Sequence, residues 1–169
     1  MNCLVMVDGA DFKIRQPAPF STRWYSQKFH GPGLRYEVAV SIQRGEIVWI
    51  NGPFPPGEWN DISIFRRNIM GMLGSDERVE ADWGYQGEPY NVNLPHEDYG
   101  CPTTRAIKSN CRHRHETVNR RFKVCGALQQ CYRHDLDKHA LIFNSVAVIV
   151  ELELENGYPL AQINNYCPA

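Results

Sequence analysis

The sequence predicts a mixed α/β domain in which helices cover a largely central sheet. Three observations support this class: a short apolar run near the start, an alternating hairpin pattern in the first third, and a long apolar segment near the end. The chain has 169 residues, 43% hydrophobic and 22% charged, which suits one folded domain with a substantial core. This composition excludes an intrinsically disordered chain, and no apolar run reaches the ~18 residues that a membrane span requires.

The predicted strands lie in the first half of the chain. CLVMVD is a short apolar run that ends on Asp8, the pattern of a buried strand. LRYEVAVSI alternates, and QRG joins it to EIVWI in a predicted β-hairpin. ERVEADWGY predicts another strand that delivers Asp82 at its end, and a short strand is expected near Val92. Residues 15–33 and the rest of 86–110 contain many turn-forming residues and are expected to be irregular.

Three helices are predicted. The apolar side chains of DISIFRRNIMGML have helical spacing, and either Asn60 or Asp61 is available as its N-cap. A basic helix is expected over residues 111–125. HALIFNSVAVIVELELE has the β-branched residues of a strand, but its length favours a buried helix that ends at Asn156 and Gly157.

Charge is unevenly distributed, although the net charge is only −1. Residues 105–123 hold seven of the 18 Lys and Arg residues but one of the 19 acidic residues, Glu116. A basic patch on an otherwise acidic chain indicates contact with a polyanion, although a solvated helix face has the same composition. The six cysteines are scattered along a chain longer than most disulfide scaffolds, so free thiols are expected.

Glu116 has a defined position within the predicted basic helix. At about 100° per residue, Glu116 shares one narrow stripe beside the apolar face with Arg112, Asn119 and Lys123. The simplest interpretation is an i,i+4 ion pair between Arg112 and Glu116, which contributes a few tenths of a kcal/mol. The alternative interpretation is a metal-binding carboxylate held among cations that bind phosphate.

Two further carboxylates, Asp8 and Asp82, end predicted strands and are followed closely by Gly9 and Gly84. An acid at the end of a buried strand often lies where loops build a site. Aspartate is also common in ordinary turns, so both interpretations remain open.

Other candidate sites fit their patterns less well. Cys125, Cys131, His134 and His139 are spaced too widely in their first pair for a usual zinc site, which leaves packed thiols and surface histidines as the main alternative. HETVN lacks the second histidine of a metalloprotease motif, and His113 and His115 fall outside the stripe that carries Glu116. The tryptophans Trp49, Trp59 and Trp83 are expected to pack in the core or loops rather than stack on bases.

Four motifs in order resemble one family. VDGADFKI resembles an apolar strand ending in Asp-Gly, PFPPGEWNDISIF a Pro-Gly…Asp segment, and ADWGY an Asp-x-Gly-Tyr block. Arg112, three residues, Glu116, six residues and Lys123 match an Arg-(3)-Glu-(6)-Lys signature. Together these motifs are similar to those of the DDE superfamily endonucleases, specifically the PIF/Harbinger-type transposases, over about residues 5–158.

The resemblance implies an RNase H-like fold for the single domain 1–169, with a mixed central sheet flanked by helices. It implies that Asp8, Asp82 and Glu116 are the catalytic acids and bind two Mg²⁺ or Mn²⁺ ions, with Asp61 as an accessory metal ligand. The DNA contacts are expected from Arg112, Asn119, Arg120 and Lys123. The resemblance also implies a nuclear protein whose DNA-binding N-terminal region is absent and is replaced, in one version of the hypothesis, by a partner protein.

Three functional hypotheses follow. The first is a metal-dependent DNA endonuclease or transposase domain, which the complete set of three acids favours. The second is a domesticated nucleic-acid-binding protein of the same fold that no longer cuts, which the absence of a DNA-binding region favours. The third is a structural or interaction module.

Overall fold

The computed structural model describes residues 2–95 and 101–163, and it has a mixed sheet flanked by helices, as the sequence predicts. Its strands are β1 (Asn2–Lys13), β2 (Tyr25–Ser26), β3 (Gly31–Ser41), β4 (Ile47–Phe54), β5 (Glu77–Ala81) and β6 (Val92–Asn93). Its helices are α1 (Asp61–Arg67), α2 (Pro102–Phe122), α3 (Gly126–Gln129) and α4 (His139–Glu155). None of the described helices is long and apolar enough to cross a membrane.

β1 is the central strand. It pairs antiparallel with β3 on one side and parallel with β5 on the other, and β6 continues the sheet parallel to β5. On the far side of β3, β4 pairs antiparallel along most of the strand, and β2 pairs with its first two residues. The long strands therefore run in the order β4, β3, β1, β5, β6, with β3 reversed relative to its two neighbours.

One face of the sheet packs against α2 and α4 through an aromatic core. Phe143 of α4 stacks on Tyr36 of β3 at a centroid separation of 3.9 Å. Phe12 and Phe122 also pack against the Phe143 ring, with centroid separations of 5.2 Å and 5.1 Å. His139 Nδ1 and the Tyr36 hydroxyl share a hydrogen bond of 2.8 Å. Burial lowers the pKa of His139 to about 4, so the imidazole is neutral within this core at neutral pH.

The opposite face packs against α1 and is built from smaller residues. Val7, Ala39 and Val79 from the sheet contact Phe65 of α1 and Tyr85 of the loop after β5. Because both faces are covered, the alternating polar residues of β3 are buried as well, including Arg35 and Glu37. The β-hairpin prediction is confirmed, but its polar face lies under α1 rather than in water.

The first strand is longer than the sequence predicts. β1 continues past Asp8 to Lys13, so Asp8 lies within the strand and not at its end. The Asp8-Gly9 pair resembles a turn, but the strand uses Gly9 for close packing, since a Cβ atom there would overlap the Asp61 carboxylate. The prediction for the first helix is also too long, because α1 ends at Arg67 and a separate 3₁₀ turn follows at Ile69–Met72.

The basic helix begins a full two turns earlier than predicted. α2 starts at Pro102, inside a stretch that was expected to be irregular, and ends at Phe122. Proline is compatible with the first turn of a helix, because its missing N–H has no partner there, so Pro102 starts the helix instead of breaking it. The prediction for α4 is confirmed, including its end before Asn156.

We expect Phe143→Ala to lower the free energy of unfolding by about 3–5 kcal/mol, because it removes the ring that joins Phe12, Tyr36 and Phe122. Leu141→Ala on the exposed side of the same helix should change it by less than about 0.5 kcal/mol. Urea unfolding of the two variants provides the measurement. Equal effects of the two substitutions would contradict this position for α4.

Candidate active site

The parallel pairing of β1 with β5 brings Asp8 and Asp82 side by side. The ladder ends where Val7 pairs with Ala81, so the next residue on each strand is an aspartate. Neighbouring strands lie about 4.8 Å apart, so these two backbones are adjacent. Asp82 then caps a short 3₁₀ turn by accepting a 2.8 Å hydrogen bond from the Gly84 N–H. Beyond this point β1 has no paired strand on that side among the described residues until Lys13, whose carbonyl accepts from the Tyr132 N–H, and we call this stretch the open edge of β1.

Asp61 reaches the open edge from the other face of the sheet. Asn60 caps α1, which leaves the carboxylate of Asp61, the first residue of the helix, available for other contacts. A Cβ atom on Gly84 would lie 2.8 Å from Asp61 Oδ2 and 3.0 Å from Asp82 Oδ1. The two carboxylates therefore approach the same point, and glycine at positions 9 and 84 leaves the space that Asp61 occupies.

Asp8 points toward α2, and three neighbours in the described part of the chain hold it. Its Oδ1 accepts a 2.7 Å hydrogen bond from the Gly9 N–H, and its Oδ2 accepts a 3.0 Å hydrogen bond from the Asn119 side chain. Lys28 lies 3.9 Å from Oδ1 and also donates to the Gly9 carbonyl at the open edge. These contacts orient the Asp8 carboxylate and partly balance its charge.

His115 is a site residue that the sequence analysis excluded. Its Nε2 lies 2.9 Å from the Val38 carbonyl oxygen and must donate to it, because a carbonyl oxygen only accepts. Its Nδ1 then faces Asp8 Oδ2 at 3.8 Å, without a hydrogen-bond partner. The helical stripe that contains Glu116 does not include His115. His115 lies instead on the buried face of α2, which faces the sheet.

Glu116 lies on the same helix but its side chain is exposed. It lies between His115 and Asn119 in α2, two helix residues whose side chains approach Asp8. Within residues 2–95 and 101–163, no three His, Cys, Asp or Glu side chains are close enough together to hold a metal ion. Asp8, Asp61 and Asp82 lie along the open edge without forming such a cluster, and Glu116 is on α2 with its side chain exposed.

A buried cation lies beneath the acids and was also missed. Arg35 pairs with Asp11 through Nε and Nη2, at 2.7 Å and 2.9 Å, and its Nη1 lies 3.2 Å from Asp61 Oδ1. Ser26 completes the Asp11 carboxylate with a 2.5 Å hydrogen bond. Burial raises the pKa of Asp61, while the charges of Arg35 and Lys28 oppose that shift. The sequence did contain a signal for this buried cation: Arg35 and Glu37 occupy alternate positions of β3, on the face that α1 covers.

The oxygen atoms at the open edge suit a hard divalent cation. Asn119 Oδ1 and Asp61 Oδ1 are buried without a hydrogen bond, although the latter has its electrostatic contact with Arg35. Carboxylate and amide oxygens are the ligands that Mg²⁺ and Mn²⁺ prefer. The residues present therefore fit such an ion chemically. Asp8, Asp82 and Asp61 lie nearest to the open edge, and Glu116 is about one helix turn before Asn119 in α2.

The basic residues of 105–123 do not form one uniform patch. Lys108 is buried and binds Asn93 and the Leu94 carbonyl at 2.9 Å and 2.7 Å, and Arg114 donates to backbone carbonyls of the core. Arg121 donates to the Tyr158 carbonyl at 2.6 Å. The prediction that all seven basic residues form one patch for contact with a polyanion is therefore wrong for Lys108, Arg114 and Arg121. The exposed basic residues are Arg105, Arg112, Arg120 and Lys123.

The residues of the alternative zinc pattern have separate environments. His139 lies in the aromatic core, bonded to Tyr36, whereas Cys131 and His134 are exposed. The five described cysteines carry free thiols, and Cys167 lies outside the described residues.

Glu37 is buried beneath the open edge on the α1 face. It lies opposite Gly9 in the ladder, and neither carboxylate oxygen has a hydrogen bond. Burial raises the pKa of Glu37 to about 8; the nearby Trp49 indole opposes the shift and the Asp61 charge adds to it. Glu37 is thus largely protonated at neutral pH.

Comparison with models of protein families, with curated proteins and with solved structures found no match for this chain. The case for a function therefore depends on the geometry and charge of the open edge together with the motif resemblance.

Replacing Gly9 with alanine should disturb the site and the fold together. Because the new methyl group would overlap the Asp61 carboxylate, Gly9→Ala should lower the free energy of unfolding by about 1–3 kcal/mol. Gly71→Ala is the matched control, since a Cβ atom there meets nothing within 4 Å. Urea unfolding of both variants tests this contact, and an unaltered Gly9→Ala protein would disprove it.

The buried Glu37 should make stability fall as pH rises. The folded state keeps a proton on Glu37 that the unfolded chain releases, so the free energy of unfolding decreases from pH 4.5 to about 8. Glu37→Gln should remove a difference on the order of 4 kcal/mol across this window. The check is chemical unfolding at several pH values, with Glu153→Gln on the exposed side of α4 as control. A wild-type pH dependence in Glu37→Gln would refute the assignment.

Proposed function

We propose that this chain is the catalytic domain of a metal-dependent DNA endonuclease or transposase with an RNase H-like fold, related to the PIF/Harbinger-type transposases. The observation that carries the proposal is that Asp8 and Asp82 follow directly on paired residues at the open edge of β1, which Asp61 approaches from α1. Three acids from three separate segments lie near this edge although they repel one another, which is expected where a cation is to be bound.

The order of elements supports the finer fold assignment. The family resemblance implies a first acid at the end of strand one, a second after strand four and a third on a later helix. With the two-residue β2 left aside, Asp8 is on the first strand, Asp82 follows the fourth and Glu116 is on α2. The order of the elements that carry the three acids thus supports the assignment, although Asp8 lies within its strand and not at its end.

Asp8 and Asp82 would hold the metal ions, with Glu116 and Asp61 as further ligands. Two Mg²⁺ or Mn²⁺ ions supply an activated attacking oxygen and stabilise the leaving oxygen of a phosphodiester. The protein orients the acids: Asn119 fixes Asp8, the Gly84 N–H fixes Asp82, and Arg35 holds Asp61 from beneath. Arg112, Arg120 and Lys123 would contact the DNA backbone, as exposed cations do without reading sequence.

A nucleic-acid-binding protein that no longer cuts is the second candidate. It is favoured by the exposed position of Glu116 and by the lack, within the described residues, of three metal-binding side chains at one point. Both candidates imply DNA as the partner and the nucleus as the location. Under either one, the choice of DNA site would come from a DNA-binding region or partner protein outside this domain.

Nicking of DNA separates the two candidates. With Mg²⁺ or Mn²⁺ present, we expect the wild-type protein to nick supercoiled plasmid, and Asp82→Asn to lower the rate on the order of 100-fold or more, since several kcal/mol of transition-state stabilisation are lost. Asp76→Asn is the matched control, because Asp76 is exposed before β5 and away from the open edge.

Glu116→Gln should give the same loss as Asp82→Asn if Glu116 is a ligand. The nuclease proposal fails if wild type and Asp82→Asn bind DNA equally well and neither nicks it with either ion. That result would instead support the binding protein.

A further inference from the structure

Three lysines surround one cavity that continues from the acids along the open edge of β1. We call it the lysine pocket: it has a volume of about 250 Å³, and Lys13, Lys28 and Lys123 line it together with Phe29 and Asp11. The lysines come from the end of β1, from the loop before β3 and from the C-terminus of α2. Three of the five lysines in the chain therefore meet at this cavity.

The charge of the lysine pocket is not cancelled from within. Asp11 is the acid among its lining residues, and Arg35 and Ser26 already satisfy both of its oxygens. Lys13 lies over the Phe29 ring at 5.6 Å, which holds the ammonium group at the pocket rim. The pocket therefore presents two or more positive charges to whatever enters it, beside an apolar wall.

Lys28 connects the lysine pocket to the acids. Its Nζ donates to the Gly9 carbonyl and lies 3.9 Å from Asp8 Oδ1, so the same ammonium group contacts both places. An anion that binds among the lysines is thus next to Asp8 along the strand direction. A ligand that spans both places must present anionic groups in a row, as the backbone of a nucleic acid strand does.

We propose that the lysine pocket binds a backbone phosphate of a nucleic acid strand, adjacent to the phosphate that lies at the acids. The inference rests on the proposed function for the direction of the strand, because the acids define the neighbouring phosphate. Lys13 and Lys28 are the new contacts. Lys123, expected from the motif to bind phosphate, becomes the third side of the same pocket.

The salt dependence of binding tests the pocket without any cutting. Each phosphate contact to single-stranded DNA contributes about 0.7 to the slope of log affinity against log salt. With a labelled single strand of about 12 nucleotides, in EDTA and over about 50–200 mM salt, the slope should fall by about 0.7 in Lys13→Ala with Lys123→Ala, which is the loss of one phosphate contact, and by less in Lys13→Ala. Lys13→Arg should retain the wild-type slope.

Lys138→Ala is the matched control, because Lys138 is an exposed lysine that does not line the pocket. If the pocket variants keep the wild-type slope, or lose no more than Lys138→Ala does, the inference is overturned. Inorganic phosphate that binds among these lysines without competing with the strand would also overturn it, since the strand would then lie elsewhere on the protein.

The binding experiment and the nicking experiment test the lysine pocket and the nuclease proposal separately. A lysine-dependent slope in a protein that nicks no DNA leaves the pocket standing and removes the nuclease. Nicking by a protein whose slope is insensitive to Lys13 and Lys123 leaves the nuclease standing and removes the pocket.

Discussion

The parallel register between β1 and β5 is the constraint on which the rest of the site depends. It sets Asp8 beside Asp82, and because β5 stops at Ala81 while β1 continues, it also leaves one edge of the central strand open. Side chains from both faces of the sheet meet only at such an edge: Asp8 arrives from the α2 side and Asp61 from the α1 side. A shift of one residue would turn Asp8 toward α1 and separate it from Asn119 and His115.

The open edge combines acids and cations in a graded arrangement. Arg35 lies buried beneath Asp61, Lys28 is half-exposed beside Asp8, and the other pocket lysines lie farther along the strand. The half-buried Asp8, Asp61 and Asp82 outnumber the cations beside them and leave net negative charge that a divalent ion would balance, whereas the lysines farther along leave positive charge that an anion would balance. The same edge thus suits a metal ion at one end and phosphate at the other, the two components of phosphodiester chemistry.

Much of the fold was predictable from local pattern. The alternation in β3 and β4 and the long apolar run of α4 were identified correctly, because in each the periodicity extends over many residues. Two of the errors fall at Gly9 and Pro102, residue types that usually interrupt strands and helices. At Gly9 the strand continues because the absence of a side chain leaves room for Asp61, which is distant in the sequence, and at Pro102 the helix starts where an N–H is not required.

The sequence by itself determined which residue types carry charge and which segments alternate, so it identified Asp8, Asp61, Asp82 and the basic character of α2. Only the tertiary structure decided that Arg114 and Lys108 are core residues, that His115 and Arg35 support the acids, and that Lys13 and Lys28 share a pocket with Lys123. The physical reason is that periodicity assigns a side chain to one face of its own element. Which partner covers that face depends on strand register and helix docking, which join residues far apart in the chain.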